Sequence, residues 1–200
     1  LITLDNGKDH TRPNTLGPQG LVELRDTLLT VQAQAAAGEI QAAAITGNPF
    51  ILAAGADLSK VGDIPDKATG VVMVKLGHQT LGLLGELGVP SFCFINGLAL
   101  GGGLEIALNS DYRTVSSSAA ALALPEVFLG LIPGWGGAWL LPILIGVRYA
   151  LTVMIDPKLT GLENLERLRN AGGRAPLGAL LGFRLVDVGD GFSVFEGNPG

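Results

Sequence analysis

A single cysteine, two histidines and no basic run set the first limits on this chain of 200 residues. Counting excludes a disulfide framework and a cysteine-based structural zinc site. Cys93 stands in the apolar run SFCFIN (91–96), where a buried strand thiol is expected rather than a reactive one. Such cysteine usage fits a reducing, cytoplasm-like compartment. His10 and His78 have no acid or nucleophile arranged around them and are read as non-catalytic. With 13 Lys and Arg against 18 Asp and Glu, the net charge is −5, which argues against nucleic acid as a partner. A phosphorylated small molecule stays open, because a few lysines or helix amides can hold one. Long unbroken apolar runs are also missing. The best candidate, GGAWLLPILIGVRYALTVMI (136–155), is interrupted by Pro142, Gly146 and Arg148, where a membrane span needs about 20 nearly continuous apolar residues. It reads as buried loop and helix, so no membrane span is expected. The chain opens on Leu1 with neither a methionine nor a signal-peptide pattern, as a piece of a longer protein would.

What is present is apolar side chain and glycine. Hydrophobic residues make up 48% and charged residues 16%, far from a disordered composition and suited to an α/β protein with covered strands. One domain with a substantial core is the simplest organisation at this length. LITLDNG (1–7) reads as a short strand ending in a turn. Leu21, Leu24, Leu28 and Val31 recur at helical spacing through residues 17–37. IQAAAITG (40–47) is a buried-strand candidate, and residues 48–61 a strand or loop leading into a helix that Asp57 could cap. Residues 68–87 read as one long helix, 89–97 as a strand stopped at Asn96-Gly97, and 102–109 as a helix. A strand at 111–117 and a strand followed by a turn-rich loop at 121–137 complete the pattern. Strands alternating with helices argue for α/β with crossover connections. Beyond about residue 156 the character changes: a helix is expected at 160–170, and GDGFSVFEGNPG (189–200) reads as a frayed terminus.

Three stretches carry possible chemistry. GLALGGGLEIAL (97–108) puts Gly101, Gly102 and Gly103 before an apolar helix, with Glu105 in its first turn. The first amides of a helix lack internal partners and carry the positive end of its dipole. Glycine lets a ligand oxygen approach them, so the stretch reads either as an oxyanion hole or as a helix–strand packing contact. It is not a P-loop, and neither it nor GWGGAW spells the dinucleotide-binding fingerprint. Glu105 and Glu126 both sit among apolar residues, where a raised pKa would suit proton transfer. Two such groups could divide acid and base roles. Each also has a plainer reading: Glu105 as a helix N-terminal charge, Glu126 as a solvated strand-end carboxylate. In AAGADLSKV (53–61), small residues around Gly55 allow close approach of backbone to ligand, and Lys60 reads as a phosphate partner or a solvated lysine.

AAGADLSKV, INGLALGGGLEIALNSDYR (95–113) and LPEVFLGLIPGWGG (124–137), in that order and spacing, resemble the enoyl-CoA hydratase/isomerase (crotonase) family over roughly residues 1–155. The resemblance implies a spiral of ββα units forming a catalytic core at 1–155, with 156–200 as part of a C-terminal helical segment used in trimer assembly. It also implies that the amides of Ala56 and Gly102 hold a thioester oxygen. Glu105 would help activate water, and Glu126 would exchange a proton with the α-carbon. The stretch Ala54, Gly55, Ala56, Asp57, Leu58 and Ser59, with Lys60 beyond it, would lie along CoA, which is part of the substrate; no metal or nicotinamide is implied. Retention of both glutamates favours an enoyl-CoA hydratase of fatty-acid β-oxidation. A Δ3-Δ2-enoyl-CoA isomerase and a non-catalytic acyl-CoA-binding member of the fold are the alternatives. The wording of SDYR and LPEVFLGLIPG further resembles the hydratase part of multifunctional β-oxidation proteins, in which a 3-hydroxyacyl-CoA dehydrogenase follows. A trimer or dimer of trimers would be the family's assembly. Three features depart from the family pattern: SSSAAALALPE (116–126) is one residue longer, DHTRPNTLGPQG (9–20) differs, and 156–200 matches weakly.

Overall fold

The computed structural model describes residues 1–7, 9, 11–126, 131–155, 183–189 and 192–197. A short strand β1 (Ile2–Leu4) leads to helix α1 (Pro18–Ala36), which has Pro near its start and buries Leu21, Leu24 and Leu28 on one face. Three strand pairs follow, each ending in a helix. They are β2 (Ala43–Gly47) and β3 (Ile51–Ala53) with α2 (Lys67–Gly82); β4 (Ser91–Ile95) and β5 (Leu98–Leu100) with α3 (Gly102–Asn109); and β6 (Tyr112–Val115) and β7 (Leu122–Ala123) with α4 (Gly137–Ile145). The leading strands join β1 in a parallel sheet ordered β1-β2-β4-β6, and the second strands form another parallel sheet ordered β3-β5-β7. This is the spiral of ββα units that the resemblance implied.

Alternate burial along β2 and β4 reflects the two-residue period of a strand with one face covered. The core gathers Leu21 and Leu28 of α1, Ile45 of β2, Leu81 of α2, Cys93 of β4 and Ile106 of α3. Each fully buried leucine contributes roughly 1.5–3 kcal/mol. Cys93 is a buried free thiol whose pKa is pushed up to about 12 by burial, which suits the inert reading.

Polar side chains fasten the spiral where its turns meet. Asn96 donates to the carbonyls of Gly47 and Asn48, clamping the β4–β5 corner to the β2–β3 corner. Arg113 on β6 closes the end of α3, its Nε donating to Ala107 O at 2.9 Å and its Nη2 to Ser110 O. A cation there complements the negative end of the helix dipole.

Several elements are shorter or more divided than expected. The helix expected at 68–87 is α2 followed by a separate 3₁₀ turn, Leu83–Gly85. Asp66 starts α2 by accepting from the Thr69 N–H at 2.7 Å, and this bond lowers its carboxyl pKa. The apolar run at 136–155 is two helices, α4 and α5 (Val147–Ile155), parted at Gly146 with φ +82°. The helix expected at 160–170 lies outside the described residues. Where a frayed end and partial helical segment were expected, the described residues form an antiparallel pair, β8 (Phe183–Gly189) and β9 (Phe192–Gly197). The reason is legible afterwards: Asp190-Gly191 between two alternating apolar runs is a hairpin signal. Among the described residues no helix is long and apolar enough to cross a membrane.

Candidate active site

The sheet β3-β5-β7 brings the three motifs to one edge. Ala54–Lys60 follows the carboxyl end of β3, Gly101–Glu105 that of β5, and Glu126 that of β7. Ligands of parallel α/β sheets characteristically sit beyond the strands' carboxyl ends. Since β5 is central, Gly102 and Glu105 have the β3 loop on one side and the β7 loop on the other.

Gly101 makes the turn from β5 into α3 with φ +52°, a region glycine tolerates and side-chain-bearing residues avoid. Its N–H donates to Ala123 O at 2.9 Å, tying the turn to β7. Gly55, at φ +85°, packs on this turn so closely that a Cβ there would stand 3.1 Å from Gly102 N. Ala56, which bears the other candidate amide, follows Gly55 directly in the chain. Among the hydrogen bonds of the described residues, neither the Ala56 nor the Gly102 N–H reaches a protein acceptor.

The β3 loop is held by the very region that departs from the family's common sequence. Ala54 N donates to Asn14 O, Leu16 N to Gly55 O, and Asp57 N to Leu16 O. Asn14 itself is buried and donates to Leu4 O at 2.8 Å and to Leu52 O at 3.3 Å. Asp57 caps the 3₁₀ helix Leu58–Asp63, its Oδ1 accepting from Ser59 N at 3.0 Å and Ser59 Oγ at 2.6 Å. Leu58, Ser59 and Lys60 face solvent.

Glu105 is 2% exposed although it carries a carboxylate. Its Oε1 accepts from Trp135 N and Gly137 N, both at 2.8 Å. Burial raises its pKa to about 7, the two amides oppose the shift, and the neighbouring charge of Glu126 adds to it. Thus the dipole facing Glu105 is that of the next helix, since Gly137 is the first residue of α4. Glu126 approaches the same turn from the other side: a Cβ on Gly101 would stand 2.7 Å from Glu126 Oε1. Glu126 Oε2 is buried without a hydrogen-bond partner among the described residues. Burial raises this pKa too, with its own backbone amide pulling the other way. The two carboxyls therefore lie about the glycine turn that carries the Gly102 amide, and Gly55, the residue before Ala56, packs on that turn, whereas the polar side chains of Ser59 and Lys60 are exposed. His78 is exposed on α2, and His10 lies outside the described residues. Among the described residues no three His, Cys, Asp or Glu side chains form a group able to hold a metal ion.

Three participants were not singled out from sequence: the amides of Trp135 and Gly137, and Asn109. Asn109 Nδ2 donates to Glu105 O at 2.8 Å and to Trp135 O at 2.9 Å, fastening the loop that grips Glu105 to the helix that bears it. A usable signal was there. GWGGAW sets adjacent glycines before an apolar helix just as GGGLEIAL does, and Gly136 enters α4 at φ +120°.

A parallel ββα spiral with glycine-started helices and paired carboxyls at one sheet edge defines a class, and comparison with known proteins agrees with it. The family model described as Enoyl-CoA hydratase/isomerase matches residues 1–168. The chain belongs to that family. It is 37% identical over 147 residues to the fatty acid oxidation complex subunit alpha of Pseudomonas syringae pathovar tomato, covering 72% of this chain and 20% of that protein. The corresponding subunit of Idiomarina loihiensis is 38% identical over 115 residues, covering 57% of this chain and 16% of that protein. The chain thus spans about a fifth or less of these relatives' length. Among solved structures, an enoyl-CoA hydratase from Bacillus anthracis superposes with TM-score 0.72 at 31% identity, over 82% of this chain and 61% of that one. Pseudomonas aeruginosa DspI does so with TM-score 0.70 at 32% identity, over 85% and 70%.

Proposed function

We propose that this chain carries an enoyl-CoA hydratase centre, which adds water across the 2,3 double bond of a 2-enoyl-CoA. The observation that carries the reading is the gathering of a buried carboxyl, Glu105, and a half-buried one, Glu126, both of raised pKa, at the glycine turn that bears the Gly102 amide, with Gly55 of the Ala56 loop packed on it. In the proposed reaction the thioester oxygen accepts from those two amides. Glu105 takes a proton from water as the hydroxyl bonds to the β-carbon, and charge moves onto the thioester oxygen as an enolate. Glu126 then delivers a proton to the α-carbon, restoring the carbonyl and completing the 3-hydroxyacyl-CoA. Passing one proton from Glu105 to Glu126 resets the pair. Donors aimed at the developing enolate stabilise it by several kcal/mol, and each general acid or base supplies about 10²–10⁴-fold. The step needs neither metal nor nicotinamide.

Ala54, Asp57, Leu58, Ser59 and Lys60, beside the two amides, are the proposed track for CoA, with Lys60 near enough to solvent to meet a phosphate. The names of the curated relatives support a place in a fatty acid oxidation complex, and the resemblance of SDYR and LPEVFLGLIPG to multifunctional β-oxidation proteins supports association with a 3-hydroxyacyl-CoA dehydrogenase. Family resemblance supports a homotrimer or dimer of trimers, and the lone buried cysteine a cytoplasmic setting. The test uses the protein at its full natural length with crotonyl-CoA, following loss of the conjugated enoyl-thioester absorbance. Rapid loss that Glu126→Gln and Glu105→Gln cannot support upholds the reading. No loss, with a 3-enoyl-CoA isomerised instead and Glu105→Gln sparing that activity, moves the assignment to an isomerase. Tight thioester binding with neither reaction moves it to a binding protein.

A further inference from the structure

The indole of Trp135 has no part in the reaction just described, although its backbone N–H grips Glu105. The residue is 8% exposed, and its ring lies between two glycines on two different helices. A Cβ on Gly77, in the interior of α2, would stand 2.2 Å from Trp135 Cε2 and Nε1. A Cβ on Gly102, at the start of α3, would stand 2.3 Å from Trp135 Cζ3. No side chain fits at those separations, so the ring can occupy the α2–α3 gap only because both helices carry glycine there. Glycine is a poor residue for a helix interior, and the indole is what Gly77 accommodates.

On the Gly102 side the ring abuts the residue whose amide is assigned to the thioester oxygen. Acyl carbons held above the Gly101–Gly102 turn have the Glu126 carboxyl against Gly101 and the indole against Gly102. CoA would occupy the polar, exposed approach along Ala54–Lys60, leaving an apolar tail to seek apolar walls. Apolar residues precede Gly77 on α2: Met73 and Leu76 pack against the core, and a Cβ on Gly134, beside Trp135, would stand 3.3 Å from Val74 Cγ1. We propose that the Trp135 indole, seated between Gly77 and Gly102, is the end wall of the acyl pocket and restricts the substrate to short enoyl chains. This inference rests on the hydratase reading for the position of the acyl group.

The test compares the full-length protein with its Trp135→Ala variant, which keeps the backbone N–H that holds Glu105. Two ratios are read: kcat/KM for trans-2-decenoyl-CoA over crotonyl-CoA, and calorimetric affinity for decanoyl-CoA over butanoyl-CoA. The expected result is a preference for the short chain in the parent and a rise of about tenfold or more in both ratios in the variant. A parent that takes both lengths equally, or ratios unmoved by the substitution, overturns the inference while leaving the hydratase reading intact. If neither protein hydrates any thioester, the hydratase reading falls, and the saturated-thioester affinities still decide the role of the ring. Should Trp135→Ala lose its fold by circular dichroism, Trp135→Leu replaces it, with a smaller rise in the same ratios as the expected result and unmoved ratios overturning the inference.

Discussion

Two helix starts in this molecule share a design and differ in what they face. Gly101 leads into α3 and Gly136 into α4, each glycine at positive φ and each followed by an apolar helix. At α4 the first amides are taken up inside the protein, Trp135 N and Gly137 N both reaching Glu105 Oε1 at 2.8 Å. At α3 the Gly102 amide reaches no protein acceptor among the described residues, and Gly55 packs against it. A glycine-started helix is therefore not a ligand site in itself. The neighbours decide: the α4 terminus meets a carboxyl delivered by α3, and the α3 terminus meets the backbone of Gly55, an indole and a second carboxyl.

The sharpest way to break this contrast is to neutralise the carboxyls. Glu126→Gln and Glu105→Gln are each expected to lower kcat with crotonyl-CoA by about 10²–10⁴-fold, measured by loss of enoyl-thioester absorbance. If Glu105 only anchors α4, its substitution will leave kcat near that of the parent.

Asn109→Ala cuts the link between the two termini. It leaves Trp135 O without its Nδ2 donor, which is expected to cost about 1–3 kcal/mol of stability. Urea unfolding measures that loss. A positioning role predicts, in addition, a displaced pH limb of kcat/KM, which a merely structural role would not produce.

Acidity separates the termini next. The reaction needs one proton on the Glu105–Glu126 pair, so kcat/KM is expected to be bell-shaped, with the upper limb near pH 7 belonging to the pair. Stability follows the same shift. The Glu105 pKa is raised by folding from an ordinary 4.5 to about 7, so the folded state keeps a proton that the unfolded chain has lost. Its contribution is present below about pH 4.5 and is lost as pH rises through about 7. The Tm of Glu105→Gln should accordingly gain on that of the parent across this window in thermal scans. A difference that does not vary with pH contradicts the assignment.

The smallest effect belongs to the β3 loop. Asp57→Ala removes the cap that accepts from Ser59 N and Oγ. It is expected to cost about 1 kcal/mol by denaturant titration, with KM for the CoA thioester rising more than kcat falls. An unchanged KM would detach this turn from the CoA track.

Much of the spiral was legible in the chain. Leu21, Leu24 and Leu28 are buried as their spacing predicts, and the strands at 40–47 and 89–97 are present as shorter cores, Ala43–Gly47 and Ser91–Ile95. Those patterns depend on local period and are carried by consecutive residues. The family was legible through its motifs, since the one shown by comparison is the one they resembled, and the loops that bear Gly102, Glu105, Ala56 and Glu126 follow the carboxyl ends of one sheet. The strands Phe183–Gly189 and Phe192–Gly197 stand where a frayed end was expected, because each short strand is stabilised by pairing with the other rather than by its own local pattern. The hold on Glu105 was missed for another reason. Trp135 is thirty residues away in sequence, and nothing in a local period says which amide a buried carboxyl will meet.

The sequence by itself determined the strand–helix alternation, the glycine-started helices and the presence of two carboxyls in apolar surroundings, because each is a property of neighbouring residues. Only the tertiary structure decided that Glu105 is gripped by α4 rather than by its own helix, that Glu126 rests against Gly101, and that an indole fills the gap between Gly77 and Gly102. Those are contacts between distant segments, fixed by how the β3-β5-β7 sheet stacks three loops at one edge. Burial in that common space, rather than residue type, is what lifts the two carboxyls out of their ordinary acidity.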